Sequence, residues 1–134
     1  MSPPSFDIER FREAAQFAPV GLFLTDATGQ CLWVNDAWCE LAGMSLEEAL
    51  GMGWTRAIHP EDLERVRTVW RGRVTEVTSG KSEYRLQRAD GQVRWVEASS
   101  RRLQGEQGEL RGHVGSLVDI SQRRRHEEAL HHRE

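Results

Sequence analysis

The chain has 134 residues and a mass of 15.3 kDa, the size of one domain and too short for two well-packed ones. Hydrophobic residues make up 38% and charged residues 29%, a globular balance that excludes a disordered or fibrous chain. With 18 Lys and Arg against 21 Asp and Glu the net charge is −3, which argues against a nucleic-acid partner, and no apolar run approaches the roughly 20 residues of a membrane span. Cys31 and Cys39 are too few for a disulfide scaffold and lack metal-site spacing. Met1-Ser2-Pro3-Pro4 is no signal peptide. The expectation is a cytoplasmic, soluble, single domain with no membrane or nucleic-acid partner.

Residues 2–5 read as a loose N-terminus, after which Asp7 is placed to N-cap a short helix, with Phe6 and Phe11 stapled across the cap. Ile8, Phe11, Ala14 and Ala15 share one face of that helix, and Pro19 closes it, because the proline ring disfavours helix in the preceding residue. Strands over 20–25 and 31–34 follow, joined by the turn Asp26-Ala27-Thr28-Gly29. Neither strand alternates cleanly, so both faces need cover: the core on one side, the N-terminal helix or a second subunit on the other. Asn35 then N-caps a helix bearing Ala37, Trp38, Leu41 and Ala42 that stops near Gly43, and Ser45 with Glu48 forms the capping box of a second.

His59-Pro60-Glu61-Asp62 opens the longest helix, with proline at its first position and two carboxylates where the helix dipole favours them. Leu63, Val66, Trp70, Val74 and Val77 form its buried stripe, and Ser79-Gly80 ends it. Strands over 82–88, 93–103 and 110–120, separated by turns at Asp90-Gly91 and Gly105 to Gly108, make an antiparallel meander. From Ser121 the strand pattern ends, and Arg123/Glu127 and Arg124/Glu128 are spaced for i,i+4 pairs on a helix that leaves the domain. The order predicts an α+β domain with a five-stranded antiparallel sheet. Residues 1–17 form an N-terminal flanking helix, 18–121 the domain and 122–134 the start of a C-terminal linker helix. There is no glycine-rich phosphate loop, nucleophile elbow or paired-cysteine motif, so no enzyme is expected.

The run 18–121 resembles a PAS domain of the bacterial sensory-box type with its C-terminal PAC motif. The resemblance is carried by Pro19-Val20-Gly21, Gly29, Trp33-Val34-Asn35, Leu41-Ala42-Gly43, Glu47-Glu48-Ala49-Leu50-Gly51, Ile58-His59-Pro60-Glu61-Asp62, Tyr84-Arg85, Asp90-Gly91, Trp95-Val96, Gly115 and Asp119-Ile120-Ser121. Each piece is weak alone, but together they stand in order over about four-fifths of the chain. The resemblance implies helices over one sheet face enclosing a small pocket, and a signal relayed to an attached effector, often a histidine kinase or diguanylate cyclase. The alternative is a ligand-free dimerisation or protein-interaction module.

Carried onto this chain, the pocket candidates are Phe23, Thr25, Val34, Trp54, Leu63, Val66, Trp70, Tyr84, Leu86, Val96, His113 and Leu117. The outer sheet face and dimer surface fall to Phe11, Leu22, Leu24, Trp33, Trp95 and Val118, and the signal junction to Asp119, Ile120 and Ser121. Flavin-binding relatives place a reactive cysteine where Trp54 stands and side-chain amides where Leu86, Val96 and Leu117 stand, which argues against an adduct-forming flavin. Haem-binding relatives use a histidine within the long helix, whereas His59 sits at its N-cap and reads as a capping residue. No cofactor and no metal are expected, and a non-covalent small molecule has room in this reading. Trp38, Trp54 and Trp70 would fill pocket volume, and His113 reads first as a core histidine.

Overall fold

Asp26 builds the first hairpin. Its Oδ1 accepts the Thr28 and Gln30 N–H groups at 3.0 and 2.9 Å and the Thr28 hydroxyl at 2.7 Å, reversing the chain between β1 (Gly21–Asp26) and β2 (Cys31–Val34). The computed structural model that shows this describes residues 8–76 and 80–131. The expected Asp7 cap with its Phe6 staple, the Val77 end of the long-helix stripe, Ser79 and His132 lie outside the described residues.

Gly29, in the hairpin turn, has φ +88°, and a Cβ there would lie 2.7 Å from Val74 Cγ2, so the turn seats against the long helix only as glycine. Pairing then skips a residue: Trp33 opposes Leu24 and Cys31 opposes Thr25. This bulge accounts for the failed alternation, because Cys31 and Val34 both turn inward and are buried, while Leu32 and Trp33 are left on the outer side.

The sheet is fully antiparallel in the order β2-β1-β5-β4-β3, with β3 at Gly80–Gln87, β4 at Val93–Gln104 and β5 at Leu110–Asp119. Between β2 and β3 come α2 (Asp36–Ala42), α3 (Leu46–Ala49), a 3-10 turn (Gly53–Ala57) and α4 (Pro60–Glu76), numbered after an N-terminal α1 (Ile8–Gln16). The core forms where Trp38, Ala49, Ala57, Ile58 and Val66 from the helical segment meet Val34, Tyr84, Leu86, Val96 and Leu117 on the inner face.

Asn35 joins three elements at once and is fully buried. Its Oδ1 accepts from Leu22 N at 2.8 Å and from Trp38 N at 3.1 Å, capping α2; its Nδ2 donates to Ala15 O at 2.8 Å and Val20 O at 3.0 Å. A side-chain amide has two donors and two acceptor sites, and all four are used. These bonds tie the C-terminal end of α1 to the sheet, with Gln16 also donating to Asp36, and Phe11 is 60% exposed. Ser45 and Glu48 form the expected reciprocal capping box.

The start of α4 is clamped to β3. His59 Nδ1 accepts from Glu61 N at 3.1 Å, the capping role expected of it. Asp62 is buried and receives Arg85 three times: backbone N at 2.8 Å, Nε at 3.1 Å and Nη2 at 2.8 Å. Arg85 Nη2 also reaches Glu61 at 3.0 Å. The Arg85 hydrogen bonds outweigh burial and hold the Asp62 carboxyl below its ordinary pKa.

The last helix, α5 (Ser121–His131), is tied to the sheet through its first turn, and from Arg125 to Leu130 it is exposed. Arg124 Nη1 reaches Glu83 on β3 at 2.9 Å rather than the expected Glu128, and Arg123 Nη2 reaches the same carboxylate at 3.0 Å. Arg123 also keeps the expected Glu127 contact at 3.7 Å.

Candidate functional site

Beneath α4, the inner face of the sheet borders a partly open cavity of about 60 Å³. Its walls divide by chemistry. Phe23, Trp38, Trp54, Trp70 and Tyr84 are the aromatic part; Cys31, Val34, Val66, Val69 and Ala98 are the aliphatic part; Thr25, Arg73, Ser82 and Ser100 are the polar part. Trp70 is the hinge of the aromatic wall, with Phe23 edge-on at 6.4 Å, Trp54 at 6.0 Å and His113 at 5.1 Å between ring centroids. Its indole N–H donates to Gly29 O at 3.1 Å, so hairpin, helix and cavity wall are tied together.

Of the sequence-derived pocket residues, Phe23, Thr25, Val34, Trp54, Val66, Trp70 and Tyr84 line this cavity. Leu63, Leu86, Val96, His113 and Leu117 do not: Leu86, Val96 and Leu117 are packed into the core, Leu63 rests against it, and His113 lies behind Trp70. Arg73, Ser82, Ala98 and Ser100 escaped the sequence reading although the signal was present. Ser82 is two residues before Tyr84, and Ala98 and Ser100 continue the inward alternation from Val96.

Three polar groups here are unusual. Ser100 is 6% exposed and its Oγ has no hydrogen-bond partner among the described residues. His113 is fully buried, both ring nitrogens lack a partner among the described residues, and burial first, then the charges of Arg102 and Arg73, push its pKa down, so the ring is neutral. Burial pushes the Tyr84 hydroxyl up, keeping it protonated. A group of three or more His, Cys, Asp or Glu able to hold a metal is absent among the described residues. Flavin held by the last three strands does not fit: Leu86, Val96 and Leu117 offer no hydrogen bond, and 60 Å³ is far below the roughly 300 Å³ of an ordinary cofactor pocket.

The second part of the site is the strand-to-helix corner. Asp119 Oδ1 accepts from Ser121 N at 2.8 Å and Oδ2 from Arg94 Nη1 at 3.0 Å. Burial raises the Asp119 pKa, but the Ser121 and Arg94 contacts together prevail and leave it below its ordinary value. Trp95 N donates to Ser121 Oγ at 2.9 Å, and Ile120 N donates to Trp95 O at 2.8 Å. The Trp95 ring lies under Arg124, whose Cζ is 3.6 Å from its centroid, with Arg85 at 5.4 Å. Trp95 is thus on the outer face, half-buried beneath Arg124 of α5. Leu22, Leu24, Trp33 and Val118 share that face; Val118 is 39% and neighbouring Val114 39% exposed.

Five antiparallel strands in the order β2-β1-β5-β4-β3, with helices over one face and a cavity between them, define an α+β class. The family model for the PAS fold matches residues 32–117, and the chain belongs to that family. It is 31% identical over 118 residues to the C4-dicarboxylate transport sensor protein DctS of Rhodobacter capsulatus, covering 84% of this chain and 18% of that protein. It is 27% identical over 119 residues to the probable diguanylate cyclase DgcE of Escherichia coli, covering 88% of this chain and 11% of that protein. The chain therefore spans less than a fifth of these relatives. Among solved structures, the PAS domain of a Colwellia psychrerythraea protein superposes with a TM-score of 0.71 at 26% identity, covering 87% of this chain and 99% of that one. No helix among the described residues is long and apolar enough to cross a membrane.

Proposed function

We propose that this PAS domain is the cytoplasmic input module of a larger signalling protein, senses a small molecule in the cavity beneath α4, and sets the output of an attached histidine kinase or diguanylate cyclase through α5. One observation carries the reading: an unbroken series of contacts runs from the cavity wall to the exit helix. Val66, Val69, Trp70 and Arg73 wall the cavity from α4; Asp62 on the same helix grips Arg85; Arg85 and Arg124 share the Trp95 ring; Glu83 holds Arg123 and Arg124. A displacement of α4 therefore reaches α5 through side chains that are already in contact. The sensor and cyclase relatives support an effector of that kind, and the free thiols of Cys31 and Cys39 suit a reducing compartment. A second copy of the chain would cover the outer-face residues Leu22, Leu24, Trp33 and Val118.

The test is Glu83→Gln in the full-length protein, which loosens both arginines without touching the cavity. Basal effector output should move by about twofold or more, the effect of a modest coupling energy. Asp119→Ala at the corner should act in the same sense, with the isolated domain still folded. Output and signal response equal to wild type in both variants would overturn the reading.

A further inference from the structure

The cavity has two unlike ends, and their chemistry selects a ligand. At the aromatic end, Trp38, Trp54 and Trp70 offer apolar surface. At the other end the charges are one-sided. Arg73 lines the cavity, and its guanidinium lies against Gly80, where an added Cβ would be 2.3 Å from Nη1. Gly80 pairs with Ser100 across the strands, which brings the unpartnered Ser100 Oγ to the same place. Arg102 follows two residues along β4, paired with His113, and its buried Nε also has no hydrogen-bond partner among the described residues. Neither Arg73 nor Arg102 has a carboxylate within salt-bridge reach among the described residues; Arg73 donates only to the Lys81 carbonyl, at 2.9 Å. The Thr25 hydroxyl is already engaged, donating to Asp26 O and accepting from His113 N.

We infer that the cavity takes a compact organic anion, a carboxylate on a short apolar stem, with the carboxylate held by Arg73 and the Ser100 hydroxyl and the stem against the tryptophans. This rests on the sensing role proposed above and names its ligand class. Buried polar groups without partners are rare, and a ligand oxygen would satisfy Ser100 Oγ. Charge-assisted hydrogen bonds to guanidinium are about twice as strong as neutral ones, which favours an anion over an isosteric amide. An aromatic cage alone would suit an ammonium ion, but two arginines with no counter-charge among the described residues repel one. Size follows from the volume: at ~10–15 Å³ per water-sized unit, 60 Å³ holds roughly four to six non-hydrogen atoms.

The experiment titrates the whole chain with propionate, propionamide and propylammonium, matched in size, and follows the indole N–H resonances of the tryptophans. Propionate should bind about tenfold or more tighter than either of the others, as one extra charge-assisted contact implies. Arg73→Gln should abolish that preference, Arg73→Lys should retain most of it, and Ser100→Ala should weaken propionate several-fold. Equal or tighter binding of propionamide or propylammonium overturns the inference, as does a preference that survives Arg73→Gln, or no response to any of the three. Each of these leaves the Glu83→Gln result, and with it the relay through α5, to stand or fall by itself.

Discussion

Asn35→Ala separates two views of one residue. If Asn35 were only the N-cap of α2, its loss would cost about 1 kcal/mol. The structure gives it four hydrogen bonds to three elements, at 2.8, 3.1, 2.8 and 3.0 Å, with no exposed surface. At about 1 kcal/mol net per bond the total is near 4 kcal/mol, and water reaching the freed Ala15 and Val20 carbonyls in the variant brings the expectation to about 3 kcal/mol. That is a large part of the 5–15 kcal/mol that holds a typical domain, so the variant folds but with little margin. In urea, at a slope of about 1.5 kcal/mol/M, the midpoint should fall by about 2 M with the slope unchanged. Asn35→Asp keeps both acceptor contacts but turns a carboxylate oxygen toward the Ala15 and Val20 carbonyls. It should be at least as damaging at pH 7 and partly recover in acid, where the protonated carboxyl can donate once. A loss under 1 kcal/mol for Asn35→Ala would refute the role assigned to this side chain.

Asp62 gives a pH signature. Its carboxyl is held low in the folded chain by Arg85, so its stabilisation is complete above the unfolded pKa of about 3.9 and is lost as pH falls through the lowered native value. Acid titration of unfolding free energy should therefore show the gap between wild type and Asp62→Asn closing below about pH 4, and a gap that persists there would contradict the clamp. On the outer face, sedimentation should find a dimer, and Trp33→Ala should weaken association by about 2 kcal/mol. A monomer at high micromolar concentration would remove the second copy from the account.

The element order and most helix starts were legible in the sequence because they depend on neighbours. Asn35, Ser45 and His59 act on N–H groups two to three residues away, and Asp26 closes its own turn. The contacts that give the site its character span longer separations and depend on register. Nothing local marks Arg85 as the partner of Asp62, 23 residues earlier, or Arg124 as the partner of Glu83, 41 residues earlier. Nor does anything local place Arg124 over the Trp95 ring, which follows from the Asp119 and Ser121 corner where β5 meets α5. The bulge opposite Leu24 and Thr25 hid the alternation of β2. The polar end of the cavity was readable in principle, by continuing the inward positions of β4 past Val96, but serines and arginines carry no hydropathy signal there.

The central claim is that the state of the cavity is read at α5. Val69→Phe tests it most directly, since Val69 walls the cavity from α4 and a larger side chain fills the space without any ligand being known. Amide hydrogen exchange is then compared across α5 in the wild type and the variant. The account predicts that exchange in α5 changes several-fold, together with β4 around Trp95, while the core strands keep their protection. Exchange altered in α4 alone, with α5 indistinguishable from wild type, would contradict it.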